Sequence, residues 1–198
     1  GAITGGKNGH LHNIQCWYGK IHAASQSQGA VYYTPLEDRW PHEAFQGNVH
    51  GDTEEFRDEG IDFNAHSYRI DTVKVYHTDN RVKGLMVIYE INNQYVYGEK
   101  HICHYSEDDS EIQCEMLNLA VDEFITYVGG RAGAVMDKLI LRTNKDRQIE
   151  CGGDGGNEFD MDIPEGYCLG SIEGGKNGDI HNIKIRAGPV PQVMTTYW

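Results

Sequence analysis

Basic charge is what this chain has least of. Seventeen Lys plus Arg stand against thirty Asp plus Glu, a formal charge of -13, so the cationic footprint of a nucleic-acid or anionic-membrane binder is missing. Long apolar runs are missing too. None approaches the ~20 residues that span a bilayer, and no charged-then-apolar leader opens the chain. No Asn-x-Ser/Thr sequon occurs. Neither Cys-x-x-Cys nor His-x-x-x-His spacing is present, which argues against a zinc site, and no Gly-x-Ser-x-Gly elbow, P-loop or dinucleotide fingerprint is found. Proline is limited to five residues, whereas glycine reaches 24 of 198. Glycine inside a helix costs ~1 kcal/mol relative to Ala, so this composition excludes a helix bundle and suits an all-β protein with many tight turns.

The periodicity agrees. Ile70, Thr72, Lys74 and Tyr76 alternate with Asp71, Val73, Val75 and His77 before a turn at Asp79-Asn80. Leu85 to Ile91, Tyr95 to Tyr97, Phe124 to Val128 and Val135 to Arg142 are further β-rich runs. Short β-branched and aromatic runs punctuated by Gly, Asn and Asp read as antiparallel hairpins. The one stretch with helical character, around Glu37 to Phe45, is short and holds Pro41. The length favours one domain with an appendage.

An internal repeat is the sharpest feature. Gly1 to Ile14 recurs as Gly170 to Ile183 with ten of fourteen positions identical, which implies one supersecondary unit used twice. Three roles are open to the N-terminal copy: a second ligand loop, a strand that completes or swaps into a prism, or the tail of a preceding domain. Swapping would imply a dimer or higher oligomer.

Five cysteines are an odd number. Cys103 and Cys114 flank an acidic turn and Cys151 and Cys168 a Gly-rich one, so each pair is a candidate disulfide across a hairpin, with Cys16 left over. Disulfides would indicate an oxidising compartment, and a secreted or extracellular location is the expectation. Metal readings are weaker. His10 and His12 share a strand face, His101 and His104 bracket Cys103, and His42-Glu43-Ala44-Phe45-Gln46 lacks the second His of a metalloprotease helix. Ser106 to Glu111 clusters oxygen ligands of the calcium type, yet a solvated hairpin tip accounts for it. Gly152 to Asn157 resembles a single calcium turn, and although Asp160, Asp162 and Glu165 could include a glycosidase pair, such acid pairs are expected by chance in a chain with thirty acidic residues. No metal, cofactor or enzymatic activity is expected.

Several blocks, in order, resemble a jacalin-related lectin domain. They are Gly51 to Gly60, Ile70 to Tyr76, Val82 to Ile91 with Tyr97-Gly98-Glu99, Val128 to Gly133, Met136 to Asn144, Gly152 to Gly156 with Phe159, and Cys168 to Ile183. The resemblance implies a β-prism of three four-stranded antiparallel Greek-key sheets that binds carbohydrate without catalysis. It divides the chain into an N-terminal extension (1–46), the lectin-like domain (47–188) and a short tail (189–198). It also implies a sugar site at a Gly-x-x-x-Asp loop near the domain's end, here Gly178, Asp179, Ile180, His181 and Asn182. A Gly-rich partner loop runs from Gly47 to Gly51 with Asp52, and Gly129-Gly130 are assigned to a lateral loop. A sugar needs acceptors for its hydroxyls and close backbone approach, which glycine permits. Asn182 departs from the pattern, because an amide lacks the charge-assisted acceptance of a carboxylate. Asp179 supplies that carboxylate instead if the loop is one residue shorter. Partners are therefore glycans or glycoproteins of mannose/glucose or galactose type, and the alternative is an assembly or adhesion module with a degenerate site.

Overall fold

The computed structural model describes residues 2–8, 10–17, 31–32, 39–49, 52–65, 67–103 and 111–193. Two compact units emerge, one from Gly1–Thr34 with Pro191–Trp198 and one from Pro35–Val190. In the first, β1 (Ala2–Asn8) and β2 (His10–Trp17) form an antiparallel pair, and β3 (Val31–Tyr32) pairs with a C-terminal strand, Gln192–Val193. Among the described residues neither unit contains an α-helix.

The second unit runs through β4 (His42–Gly47), β5 (Glu54–Phe56), β6 (Tyr68–His77), β7 (Val82–Ile91), β8 (Gln94–Tyr97) and β9 (His101–Ile102). It continues with β10 (Gln113–Asn118), β11 (Ile125–Ala132), β12 (Met136–Thr143), β13 (Gln148–Gly152) and β14 (Asn157–Asp160), and ends with β15 (Tyr167–Asn177) and β16 (Asp179–Pro189). Three antiparallel sheets result, ordered β4-β16-β15-β5, β10-β6-β7-β8 with β9 also on β7, and β13-β12-β11-β14. Each is built around one long hairpin, and alternation turns one face of each inward. Val73, Val75, Leu85 and Val87 come from one sheet, Val128, Leu139 and Leu141 from the next, and Ile172, Ile183 and Ile185 from the third. They meet in a single cluster, where each fully buried aliphatic side chain contributes about 1.5–3 kcal/mol.

The three central hairpins share an irregularity. In each, the ladder passes over one residue of the second strand. Tyr76 faces Gly84 and His77 faces Val82, so Lys83 is skipped. Arg131 faces Lys138 and Ala132 faces Met136, skipping Asp137. Gly175 faces Asn182 and Lys176 faces Ile180, skipping His181. Such β-bulges bend the strand and re-aim a side chain. The β1–β2 hairpin repeats the last register, with Gly6 facing Asn13 and Lys7 facing Leu11, so His12 is skipped. The duplicated sequence thus encodes a duplicated hairpin. β1 and β2 pair with each other and form their own two-stranded sheet, so the copy is not a strand that completes a prism sheet.

The expected boundary at residue 47 moves upstream. β4 pairs with β16 from Gly47↔Asn182 to Ala187↔His42, and Pro41 stands just before it, where a ladder donor is not needed. The helical candidate around Glu37 to Phe45 is therefore an edge strand from His42 onward. Arg39, 6% exposed, donates to the carbonyls of Ala65 and Tyr68, and Trp40 Nε1 donates to Phe63 O at 2.9 Å. Below them lies a buried polar knot. The Asp58 carboxylate accepts from Tyr89 Oη at 2.6 Å, the Glu99 amide at 2.8 Å and His101 Nε2 at 2.9 Å. It joins the segment after β5 to β7 and β9.

Neither candidate disulfide forms. Cys103, Cys114, Cys151 and Cys168 are all free. Cys114 faces Tyr76, Tyr76 faces Gly84 and Gly84 faces Ile102, the neighbour of Cys103. Three inter-strand spacings, about 14 Å in all, separate the two, well beyond the ~7 Å limit between bridged Cα atoms. Cys151 and Cys168 lie on strands of different sheets, β13 and β15. The extracellular expectation loses the support those bridges would have given; the Cys16 side chain lies outside the described residues.

Candidate functional site

Loops from all three sheets converge where the hairpins turn. Gly47 closes β4 opposite Asn182 with φ +115°, and the space a Cβ would need is taken by the His181 carbonyl and Asn182 Cα. Only glycine fits there. Its neighbour Asn48 donates its amide to His181 O at 3.1 Å and its side-chain Nδ2 to Gly133 O at 2.6 Å. Asn182, 6% exposed, returns Nδ2 to Asn48 O at 2.8 Å. The His181 ring lies 3.0 Å from Ala134 O and 3.2 Å from Asn177 O. Asn177 Nδ2 donates to Asp52 at 2.9 Å, tying the start of β5 to the β15–β16 turn.

The expected residues thus divide. Asp52, Gly178, His181 and Asn182 do gather, with Gly178 at the turn in left-handed conformation, φ +70°. Asp179 is spent, because its carboxylate accepts from Arg81 and from Lys83, each at 2.9 Å. It is a clasp between the β15–β16 and β6–β7 turns rather than a free acceptor for sugar. Ile180 is fully buried and belongs to the core. Gly129 and Gly130 are corrected: they are buried inside β11, opposite Ile140 and Leu139, and form no lateral loop. Gly51 lies outside the described residues.

Other candidates carry ordinary structure. Asp160 accepts from the Asp162 amide at 2.7 Å, closing a turn. Among the described residues no group of three or more His, Cys, Asp or Glu is arranged to hold a metal. Most of the acidic stretch from Ser106, with His104, lies outside them, as do the side chains of His10 and His12. A groove of about 590 Å³ lies beside Trp40, Phe63 and Arg57, away from these turns.

The sequence reading passed over two residues here. Asn48 fastens three loop segments, a role that residue type and spacing do not reveal. Asp137 ends the run Gly133-Ala-Val-Met-Asp137, which has the Gly-x-x-x-Asp spacing that the end loop, with Asn182, lacks. Its carboxylate faces Gly155 and Gly156.

Comparison with known proteins accords with this geometry. Residues 46–186 match the model of the jacalin-like lectin domain. The chain is 28% identical over 184 residues to jacalin-related lectin 20 of Arabidopsis thaliana, covering 91% of this chain and 38% of that protein. It therefore spans about two fifths of that relative's length. Artocarpin in complex with mannopentose shares the fold with a TM-score of 0.59 at 18% identity, over 82% of this chain and 99% of its own. Malaysian banana lectin does so with a TM-score of 0.58 at 16% identity, over 75% and 98%, and single-chain recombinant jacalin with 0.60 at 18%, over 85% and 99%. The three-sheet unit is a β-prism, and the chain belongs to the jacalin-like lectin domain family.

Proposed function

We propose that the Pro35–Val190 domain is a carbohydrate-binding module that recognises hexose hydroxyls and catalyses no reaction. The observation that carries this reading is the convergence of the Gly47–Asn48 and Asn177–Asn182 segments at one end of a jacalin-like prism. Asn48 and Asn177 are exposed there, Gly47 and Gly178 are half-buried, and amide and carboxylate oxygens sit close by. Hydroxyl recognition needs such acceptors and donors held in place before the ligand arrives. Mannose-type sugars are the first class to test, because artocarpin is described in complex with mannopentose and the Champedak lectin as mannose binding. Glycans or glycoproteins are the partners this reading names.

A second reading is favoured by one specific observation. Asn182 donates to Asn48 O and Asp179 is held by two cations, so the end loop satisfies itself internally. A domain whose end loop is closed in this way serves assembly rather than sugar capture. A glycan array probed with the full chain decides. Binding to neutral hexose glycans, competed by free methyl α-mannoside or methyl α-galactoside, supports the lectin reading. An array without any bound glycan overturns it and leaves the assembly module.

A further inference from the structure

Each sheet of the prism turns a second face outward, and two of the three outward faces are built from charge. On the sheet of β4, β16, β15 and β5, Arg186 pairs with Glu43 and Lys184 with Glu173. On the sheet of β13, β12, β11 and β14, Arg131 pairs with Glu158 and Lys138 with Asp154. The third sheet departs from this. Its ladder sets Lys74 between Met116 and Met86, Ile88 beside Tyr97, and Gly84 between Tyr76 and Ile102. These residues alternate with the inward Val73, Val75, Leu85 and Val87, so they share the outward face. Met116 is 51% exposed and Tyr97 67%, and Tyr76, Met86, Ile88 and Ile102 are half-buried. Arg69 and Glu90 pair at one end of the face.

Four strands ~4.8 Å apart and about eight residues of ~3.3 Å rise make this face roughly 19 by 26 Å. An apolar patch of that order, about 500 Å², marks a contact surface, whereas single exposed apolar residues do not. Its charge says what contacts it. Lys74 makes no hydrogen bond or ion pair among the described residues, and Lys100 holds its ammonium 4.5 Å from the centre of the Tyr76 ring. Two lysines without a carboxylate on one apolar face, in a chain of charge -13, fit an acidic partner. A second copy docked face to face about a twofold axis would crowd the same lysines together, and like charges oppose that contact. The backbone of the face is already paired within the sheet, so an extended chain laid on it would bury unmatched amides. A helix satisfies its own backbone, and about 17 residues at ~1.5 Å each match the length of the face.

We propose that the outward face of the β10-β6-β7-β8 sheet is a docking surface for an acidic amphipathic helix of a partner protein. Apolar anchors at i, i+3, i+4 and i+7 rest on Met86, Ile88, Tyr97 and Met116, and the flanking carboxylates reach Lys74 and Lys100. The thioethers adapt to the shape of the anchors. This surface shares no residue with the Gly47–Asn48 and Asn177–Asn182 segments, so protein and glycan contacts are independent.

The test is fluorescence anisotropy of a fluorescein-labelled helical peptide of about 17 residues, with leucines at that spacing and glutamates and alanines elsewhere, titrated with the full chain. Saturable binding is expected, weakened at least about tenfold when glutamines replace the glutamates. Lys74→Glu and Met116→Asp should each weaken it at least about tenfold. Both variants should keep the parent's glycan-array pattern and a thermal midpoint within about 2 °C, because neither loses an internal bond. Peptide binding absent from the parent, or equal in the parent and both variants, overturns the proposal. Dimerisation of the parent in sedimentation velocity, abolished by Met116→Asp, makes a second copy the occupant and also overturns it. Binding that emerges only with Glu107→Gln, Asp108→Asn and Asp109→Asn together assigns the face to the chain's own acidic stretch, with the same consequence.

Discussion

Replacing Asp58 by Asn keeps its shape and removes its charge, which isolates what the buried knot contributes. The carboxylate, 7% exposed, receives three donors: the Tyr89 hydroxyl at 2.6 Å, the Glu99 amide at 2.8 Å and His101 Nε2 at 2.9 Å. A hydrogen bond to a charged acceptor contributes about 1.5–3 kcal/mol against ~1 for a neutral one, and a buried donor left unmatched costs about 1–3 kcal/mol. In the Asn variant two donors keep a weaker acceptor and the third meets an NH2 group. The loss at neutral pH should be about 3 kcal/mol, or about 6–12 °C in thermal midpoint for a chain of this size. Urea unfolding followed by circular dichroism measures it. Its pH dependence has a definite sign. Burial pushes the Asp58 carboxyl up, but the bonds from His101, Tyr89 and the Glu99 amide outweigh it and hold the group below its usual value. The stabilisation is therefore complete above the unfolded carboxyl's value of about 4. It disappears as pH falls through the lower folded value. The gap between wild type and Asp58→Asn should accordingly be constant from pH 7 to 5 and narrow below about pH 4. A gap under ~1 kcal/mol at pH 7, or one that widens in acid, would refute the reasoning.

Three further outcomes follow from the turns and thiols. Asn182→Asp places a carboxylate against the Asn48 carbonyl in a position 6% exposed, and should cost about 2–3 kcal/mol in urea unfolding; an unchanged midpoint would show that this bond does not hold the loop. Lys83→Met breaks an ion pair whose side chains are 10% and 17% exposed and should cost about 2 kcal/mol, whereas Arg81→Ala, with Arg81 52% exposed, should cost under ~0.5 kcal/mol. Equal losses in the two variants would contradict the assignment of Lys83 as the principal clasp. Iodoacetamide at neutral pH should label exposed Cys114 in the native chain. Cys103, Cys151 and Cys168 should react only after unfolding, since burial pushes their thiols up to about 11, 12 and 12. Peptide mapping that finds all four labelled at one rate would show that the three segments carrying the buried thiols open freely.

The strands were legible because alternation is a local property. Along β6 the buried residues are Tyr68, Ile70 and Thr72 and then Val73, Val75 and His77, so the alternation expected from Ile70 to His77 changes face at Thr72–Val73, beside the irregular register between Ile70 and Thr72. The resemblance blocks placed the prism for the same reason: each lies within one hairpin. The loops were harder to read because their chemistry is set by residues remote in sequence. Asp179 looks available until Lys83 and Arg81, 96 and 98 residues away, close on it. Cys103 and Cys114 look paired because eleven residues and an acidic turn suggest a hairpin, yet both neighbours of that turn ladder elsewhere, β9 on β7 and β10 on β6. Gly129 and Gly130 carry a loop's composition inside a buried strand. Residues 42–46 were set apart from the prism because an edge strand that follows a proline shows only half an alternation.

The bulge explains why one fold offers three turns with different chemistry. Without it, strand alternation would send the residues at 83, 137 and 181 to the face their neighbours dictate, and their identity would be a packing matter. With one residue inserted, each side chain leaves the alternation and is directed at the loops, where packing no longer constrains it. A lysine there becomes a clasp to Asp179, and a histidine a bridge between Ala134 and Asn177 carbonyls. Each of these choices strengthens contact between adjacent turns and consumes the position. Asp137 makes neither kind of contact: its carboxylate lies against Gly155 and Gly156. Its presence at 137 therefore gives up a turn-to-turn contact at one of three equivalent positions, and the Arg131 and Lys138 bonds to the neighbouring loop hold the backbone that the lost contact would have held. The three bulges thus place three different side chains in one backbone frame, and two of the three tie neighbouring turns together.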